Sequence, residues 1–268
     1  MPRFSANLVF LWSELPFRER FAAAASAGFE AVEYMFPYPY EPADLAVELS
    51  RTGLRQDLFN LPAGDFDAGD RGIAVDPGRR AEFDAGVEAA LRYADALGCR
   101  KANCLVGTRL PGLAFEDQYE CLAENLRVAA GRLGADGVTL LVELLNTKET
   151  PGFFLDSVPM LVRLLDDVGS PNLRFQCDLY HLQRTSGDLT ATIHEVGDRI
   201  GHVQIADAPD RHEPGTGEID FPFVLRAIDA AGYDGFVGLE YRPSGRTEDS
   251  FGWIEAYGYS LAAREEVS

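Results

Sequence analysis

Eight short apolar runs alternate with amphipathic stretches along the whole chain, and this rhythm restricts the fold more than any other feature. The runs cover residues 6–10, 31–35, 54–60, 101–106, 138–144, 173–178, 202–206 and 236–241, and are rich in Val, Ile, Leu and Phe. Continuous apolar character is what strands buried on both faces require. The intervening stretches, 15–27, 42–51, 80–97, 116–133, 157–168, 189–196, 222–231 and 250–263, read as helices. Gly28, Gly53, Gly98, Gly137, Gly169 and Gly232 follow helix ends, where a left-handed cap favours glycine. Eight strands alternating with eight helices in 268 residues predict a single α/β domain, a (β/α)8 TIM barrel over residues 1–268. No Pro/Gly/Ser linker divides the chain. An open doubly wound sheet is the alternative. It would show a glycine-rich phosphate turn after the first strand, and Phe10-Leu11-Trp12-Ser13-Glu14 is not one.

Barrel active sites are built at strand C-termini, so the polar residues there carry the functional reading. Glu143, Asp178, Gln204 and Glu240 end or nearly end predicted strands five to eight, at spacings of 35, 26 and 36 residues. Each spacing is about one βα unit, which brings all four to one rim. A lone acid after a strand is commonly a helix cap. Four on successive strands form instead an oxygen-only set suited to Mg²⁺ or Mn²⁺ rather than Zn²⁺. Without a cation, three crowded carboxylates repel, and some take up protons. The loops at 61–77 and 208–219 are long for barrel connections and read as lids.

The segment Ile205-Ala206-Asp207-Ala208-Pro209-Asp210-Arg211-His212-Glu213-Pro214-Gly215-Thr216-Gly217-Glu218-Ile219 resembles the hydroxypyruvate isomerase family of xylose-isomerase-like barrels. So do Met35-Phe36-Pro37-Tyr38, Asn60-Leu61-Pro62-Ala63-Gly64-Asp65, Asn103-Cys104-Leu105-Val106-Gly107 and Asp178-Leu179-Tyr180-His181, with Gln183. The resemblance runs from about residue 6 to 257. It implies a divalent metal on Glu143, Asp178, Gln204 and Glu240, with Glu143 and Glu240 also the catalytic proton-transfer pair. One departure is visible: the family often has proline after the strand-five glutamate, where this chain reads Glu143-Leu144-Leu145-Asn146. The implied reaction interconverts hydroxypyruvate and tartronate semialdehyde through an enediolate, whose charge a divalent cation stabilises while carboxyl groups move the proton.

Three residues are candidates for binding the small sugar-acid substrate: His181 and Glu149 for its oxygens, and Arg211 for its carboxylate through a bidentate pair. Arg109 and Arg242 are weaker candidates for that carboxylate. His202 is read as lying at the far end of the barrel. Two alternatives keep the same barrel and metal logic, a 2-oxotetronate isomerase and a ketose 3-epimerase.

Other classes are disfavoured. Twenty-four basic against 43 acidic residues give net charge −19, which repels nucleic acid, and four histidines are few for a polynuclear zinc nuclease. Gly215-Thr216-Gly217 lacks the rest of a P-loop and reads as a tight turn. The Asp65–Asp70 stretch lacks the distal glutamate of an EF-hand. The four cysteines, none in a Cys-x-x-Cys pair, read as buried hydrophobes. No apolar run is long enough for a bilayer and no signal peptide is evident, so a cytoplasmic location without membrane contact is expected. The resemblance further implies a homo-oligomer.

Overall fold

The computed structural model describes residues 2–261. Eight parallel strands close into a barrel in sequence order. They are β1 (Arg3–Asn7), β2 (Ala31–Glu33), β3 (Arg55–Asn60), β4 (Lys101–Cys104), β5 (Thr139–Glu143), β6 (Leu173–Asp178), β7 (Ile200–Ile205) and β8 (Phe236–Leu239). The helices are α1 (Phe17–Ser26), α2 (Pro42–Thr52), α3 (Arg80–Leu97), α4 (Phe115–Ala135), α5 (Val158–Val168), α6 (Leu179–Thr185), α7 (Leu189–Val196), α8 (Phe221–Ala230) and α9 (Gly252–Ala256).

Each outer helix buries one stripe against the sheet. In α5 the stripe is Val158, Leu161, Leu164, Leu165 and Val168, the spacing of one helical face. Each such leucine contributes about 1.5–3 kcal/mol by leaving water. The opposite faces of the strands point into the barrel. That interior is more polar than the branched aliphatic filling usual in this architecture: Ser5, Asn7, Glu33, Asn60, Asn103, Gln176, His202 and Gln204 are all buried there.

Three element boundaries differ from expectation, each for a local reason. The first strand starts at Arg3 and stops at Asn7 rather than covering 6–10. The Asn7 side chain accepts from the Val9 N–H at 3.0 Å and its carbonyl from the Leu11 N–H at 3.0 Å, a turn that ends the extended run. A short helix absent from the sequence reading, α6, starts directly after β6 because Asp178 caps it. The last predicted helix, 250–263, is a 3-10 turn (Thr247–Phe251) leading into α9, and its final two residues lie outside those described. All four cysteines are free and buried, as expected. Among the described residues no helix is long and apolar enough to cross a membrane.

Candidate active site

Strand register sets the four rim residues side by side. Glu143 pairs in register with Gln176, Asp178 with Gln204, and the Glu240 N–H donates to the Ile205 carbonyl at 3.1 Å. Glu143, Asp178, Gln204 and Glu240 are all buried, and Glu143, Gln204 and Glu240 line a cavity of about 480 Å³ at this end of the barrel.

Asp178 does two things with one carboxylate. Its Oδ1 accepts from the backbone N–H groups of Tyr180 (2.8 Å) and His181 (3.2 Å), capping α6. Its Oδ2 is buried with no hydrogen-bond partner. Such an orphan is costly in a dry site, and it marks a place for a cation. The crowding is felt by its neighbours. Burial, and then Asp178, raise the Glu143 carboxyl to about 8. Glu240 is raised well above the usual range by burial, against the opposing pull of Arg211, with Asp178 and Glu143 adding to the rise. The donor set is three carboxylates and one amide oxygen, all hard ligands, so the residues fit Mg²⁺ or Mn²⁺.

A layer beneath orients this set. Gln176 Nε2 donates to both Glu143 Oε2 (3.0 Å) and Gln204 Oε1 (2.7 Å), which draws those two oxygens together. Asn103 Nδ2 donates to Glu143 Oε1 at 2.7 Å. Below Gln204 lies Glu33. Its Oε1 accepts from Gln204 Nε2 (2.8 Å) and Asn7 Nδ2 (3.1 Å), its Oε2 from Ser5 Oγ (2.9 Å) and His202 Nε2 (2.9 Å). An acceptor with four donors leaves the Gln204 amide one orientation, nitrogen down and oxygen towards the rim. Burial works against the Glu33 charge, but His202, Gln204 and Ser5 more than offset it and hold the carboxyl below its ordinary range. Gly238 makes the room, since a Cβ there would stand 2.3 Å from Glu33 Oε1. His202 is therefore not remote from the site as expected but two bonds beneath it.

Glu33, Asp57 and His202 each present one ligand atom within 4.8 Å of the others. This group is a poor cation site, because a cation is already there. Lys101 Nζ lies 3.1 Å from Asp57 Oδ1 and 3.4 Å from His202 Nδ1.

The three predicted substrate residues meet at the same rim. His181 Nδ1 accepts from the Asn146 N–H at 3.2 Å, which leaves Nε2 as the donor nitrogen, 3.7 Å from Asp178 Oδ2. Burial lowers this imidazole to about 4, against the pull of Asp178, so it is a neutral donor. Arg211 is buried between the rings of Phe10 and Tyr180, and its Nη2 lies 2.9 Å from Glu240 Oε2 and 3.6 Å from Asp178 Oδ2. Glu149 sits 3.6 Å from Arg211 Nη1 and accepts from the Tyr180 hydroxyl. Arg242 lines the cavity from an exposed position. Arg109 pairs with Asp156 at 3.0 Å and does not line it.

The loop after β7 is wound around Asp207. Its carboxylate accepts from the N–H groups of Ala208, Gly215, Gly217 and Ile219 at 2.8–3.1 Å. Gly217 is needed there for space, since a Cβ would stand 1.9 Å from the Ala208 carbonyl oxygen. Gly215-Thr216-Gly217 is thus a tight turn around a carboxylate, as expected. Missed in the sequence were Asn7, Glu33, Asn103 and Gln176, and Arg71 also lines the cavity. The signal for Gln176 was the two-residue period, which points it inward with Asp178.

A family model described as the xylose isomerase-like TIM barrel matches residues 21–257. The chain is 48% identical over 257 residues to hydroxypyruvate isomerase of Escherichia coli (strain K12), covering 96% of this chain and all of that protein. It is 43% identical over 260 residues to 2-oxo-tetronate isomerase of Cupriavidus necator, covering 96% and 99%. Among solved structures, one titled AP endonuclease, family 2, from Brucella melitensis superposes with TM-score 0.93 at 45% identity, covering 96% and 99%.

Proposed function

We propose that this chain, which belongs to the hydroxypyruvate isomerase family of xylose isomerase-like TIM barrels, interconverts hydroxypyruvate and tartronate semialdehyde. The observation that carries the reading is the convergence of Glu143, Asp178, Gln204 and Glu240 on one rim, with the Asp178 Oδ2 atom buried and without a hydrogen-bond partner. A divalent cation held by these four, Mg²⁺ or Mn²⁺, would supply positive charge beside the two oxygens of the enediolate.

The rest is done by the chain. Glu143 and Glu240 are the proton-transfer pair. One takes a proton from the hydroxymethyl carbon and the other returns one to the neighbouring carbon, while the hydroxyl proton passes from the first carbon's oxygen to the second's, so no atom is gained or lost. Burial raises the proton affinity of both carboxyls, which suits a pair that must take up a proton as well as give one back. The Nε2–H of neutral His181 donates to a substrate oxygen, and Arg211 and Glu149 hold the oxygens on the same side.

Isomerisation of 2-oxo-tetronate is a second reading, favoured by the 43% identity to such an enzyme and by a cavity roomier than a three-carbon acid needs. The test strips metal from the protein and assays both acids with and without Mg²⁺ or Mn²⁺, beside Glu143→Gln and Glu240→Gln. The expected result is metal-dependent turnover that each variant lowers by roughly 10²–10⁴-fold. Turnover that needs no metal, or that survives both substitutions, would overturn the assignment.

A further inference from the structure

Three arginines line the cavity: Arg71, Arg211 and Arg242. Arg211 faces Glu240, Asp178 and Glu149 at 2.9, 3.6 and 3.6 Å, so a substrate carboxylate beside it would also face three protein carboxylates. Arg242 is exposed, where water weakens any ion pair. Arg71 differs from both. It is half-buried in the loop after β3, and its Nη1 donates to the backbone carbonyls of Phe66 (3.0 Å) and Asp70 (2.7 Å). Those two bonds use both Nη1 hydrogens. Among the described residues no hydrogen bond or ion pair engages Nε or Nη2, the edge with which a guanidinium grips a carboxylate in bidentate fashion.

The group is also held still. Its guanidinium lies 4.0 Å over the Phe66 ring, which packs at 5.1 Å on Phe36. The next residue, Gly72, bridges to Val106, and its N–H donates to the Ala63 carbonyl at 3.0 Å. Asp70 Oδ2 accepts from the Asp65 N–H (2.7 Å) and from Arg79 (2.8 Å). The loop is therefore knitted together rather than poised as a lid. β3 and β7 lie four strands apart in a ring of eight, so Arg71 and Arg211 reach the cavity from opposite sides.

We propose that Arg71 binds the carboxylate of the substrate and is the residue that selects a 2-oxo acid over a neutral ketose. This rests on the isomerase reading above for the identity of the reaction, though not for the anion site itself. In it the carboxylate role expected of Arg211 passes to Arg71, and Arg211 stays with the oxygens of the reacting carbons.

The test compares Arg71→Met, Arg71→Lys and Arg109→Met, the last outside the cavity, with the unsubstituted protein, all loaded with Mg²⁺ and checked by thermal melting. Kinetics are measured on hydroxypyruvate and on erythrulose, a neutral ketose. Binding of D-glycerate, an unreactive acid, is measured by calorimetry. In Arg71→Met, the KM for hydroxypyruvate and the Kd for D-glycerate are expected to rise roughly 10- to 100-fold, the worth of a charge-assisted pair. The lysine variant recovers part of the loss, Arg109→Met changes little, and Mn²⁺ affinity stays as it was. Erythrulose turnover, whether slow or absent, is not reduced further. Unchanged D-glycerate binding in Arg71→Met, or an equal loss for acid and ketose, overturns the proposal. If the unsubstituted protein turns over no oxo acid but D-glycerate binding still depends on Arg71, the carboxylate site stands and the isomerase reading falls.

Discussion

Lowering the pH from 8 to 6 is expected to release a divalent cation from the rim. The argument starts from Glu143, whose carboxyl is raised to about 8 by burial and by Asp178. A group with that affinity for protons is roughly one-tenth ionised at pH 7 and about one-hundredth at pH 6. A cation needs the ionised form, so its apparent affinity should fall about tenfold per pH unit below 8, and more steeply where Glu240 must also give up a proton. Binding at pH 7 should release about one proton or more. Titration calorimetry with Mn²⁺, run in two buffers of different ionisation enthalpy, measures both numbers. Thermal melting supplies a second check. The raised Glu143 carboxyl contributes stability fully below its ordinary value near 4.5, and loses it as pH rises through about 8. The metal-free protein should therefore lose on the order of a few kcal/mol across that window, and the rise in Tm on adding Mn²⁺ should be larger at pH 8 than at pH 6. An affinity for Mn²⁺ that stays flat between pH 6 and 8, with no proton release, would refute a ligand set that contains a proton-holding Glu143.

Two further substitutions probe the supports of the site. Glu33→Gln places an amide where Gln204, Asn7, Ser5 and His202 all donate, which frees the Gln204 amide to turn; Mn²⁺ affinity should weaken roughly 10- to 100-fold while the protein stays folded, and unaltered affinity would remove Glu33 from the positioning set. Gly72→Ala puts a Cβ 1.8 Å from the Leu105 carbonyl oxygen at a φ of +103°, so urea unfolding should show a loss of about 1–3 kcal/mol, together with weaker D-glycerate binding because Arg71 is next in the chain.

The barrel was legible because its signal repeats eight times, and small errors at individual ends do not change the count. The rim acids were legible for the same reason, since each ends a run whose C-terminus is well marked. Asp178 shows where such reading stops. Cap and site acid were weighed as alternatives, yet one oxygen of the carboxylate makes the cap and the other is left without a hydrogen-bond partner at the rim. Glu33 was not legible, because a lone acid in the short run Ala31-Val32-Glu33 gives no hint of four donors arriving from positions 26 to 171 residues away. Arg71 stayed hidden because it stands out only against Arg211, which already faces three carboxylates, and Arg242, which is exposed, and both are facts of three dimensions.

The carboxylate of Glu33 has a consequence for inheritance and for design. Ser5, Asn7, Glu33, His202, Gln204 and Gly238 sit on four adjacent staves of the barrel and meet at the one Glu33 carboxylate. Changing one leaves a buried donor or acceptor stranded, or closes the space the acid occupies. These six positions should therefore vary together or not at all between related barrels, and grafting the rim onto another scaffold should require carrying its foundation along with it.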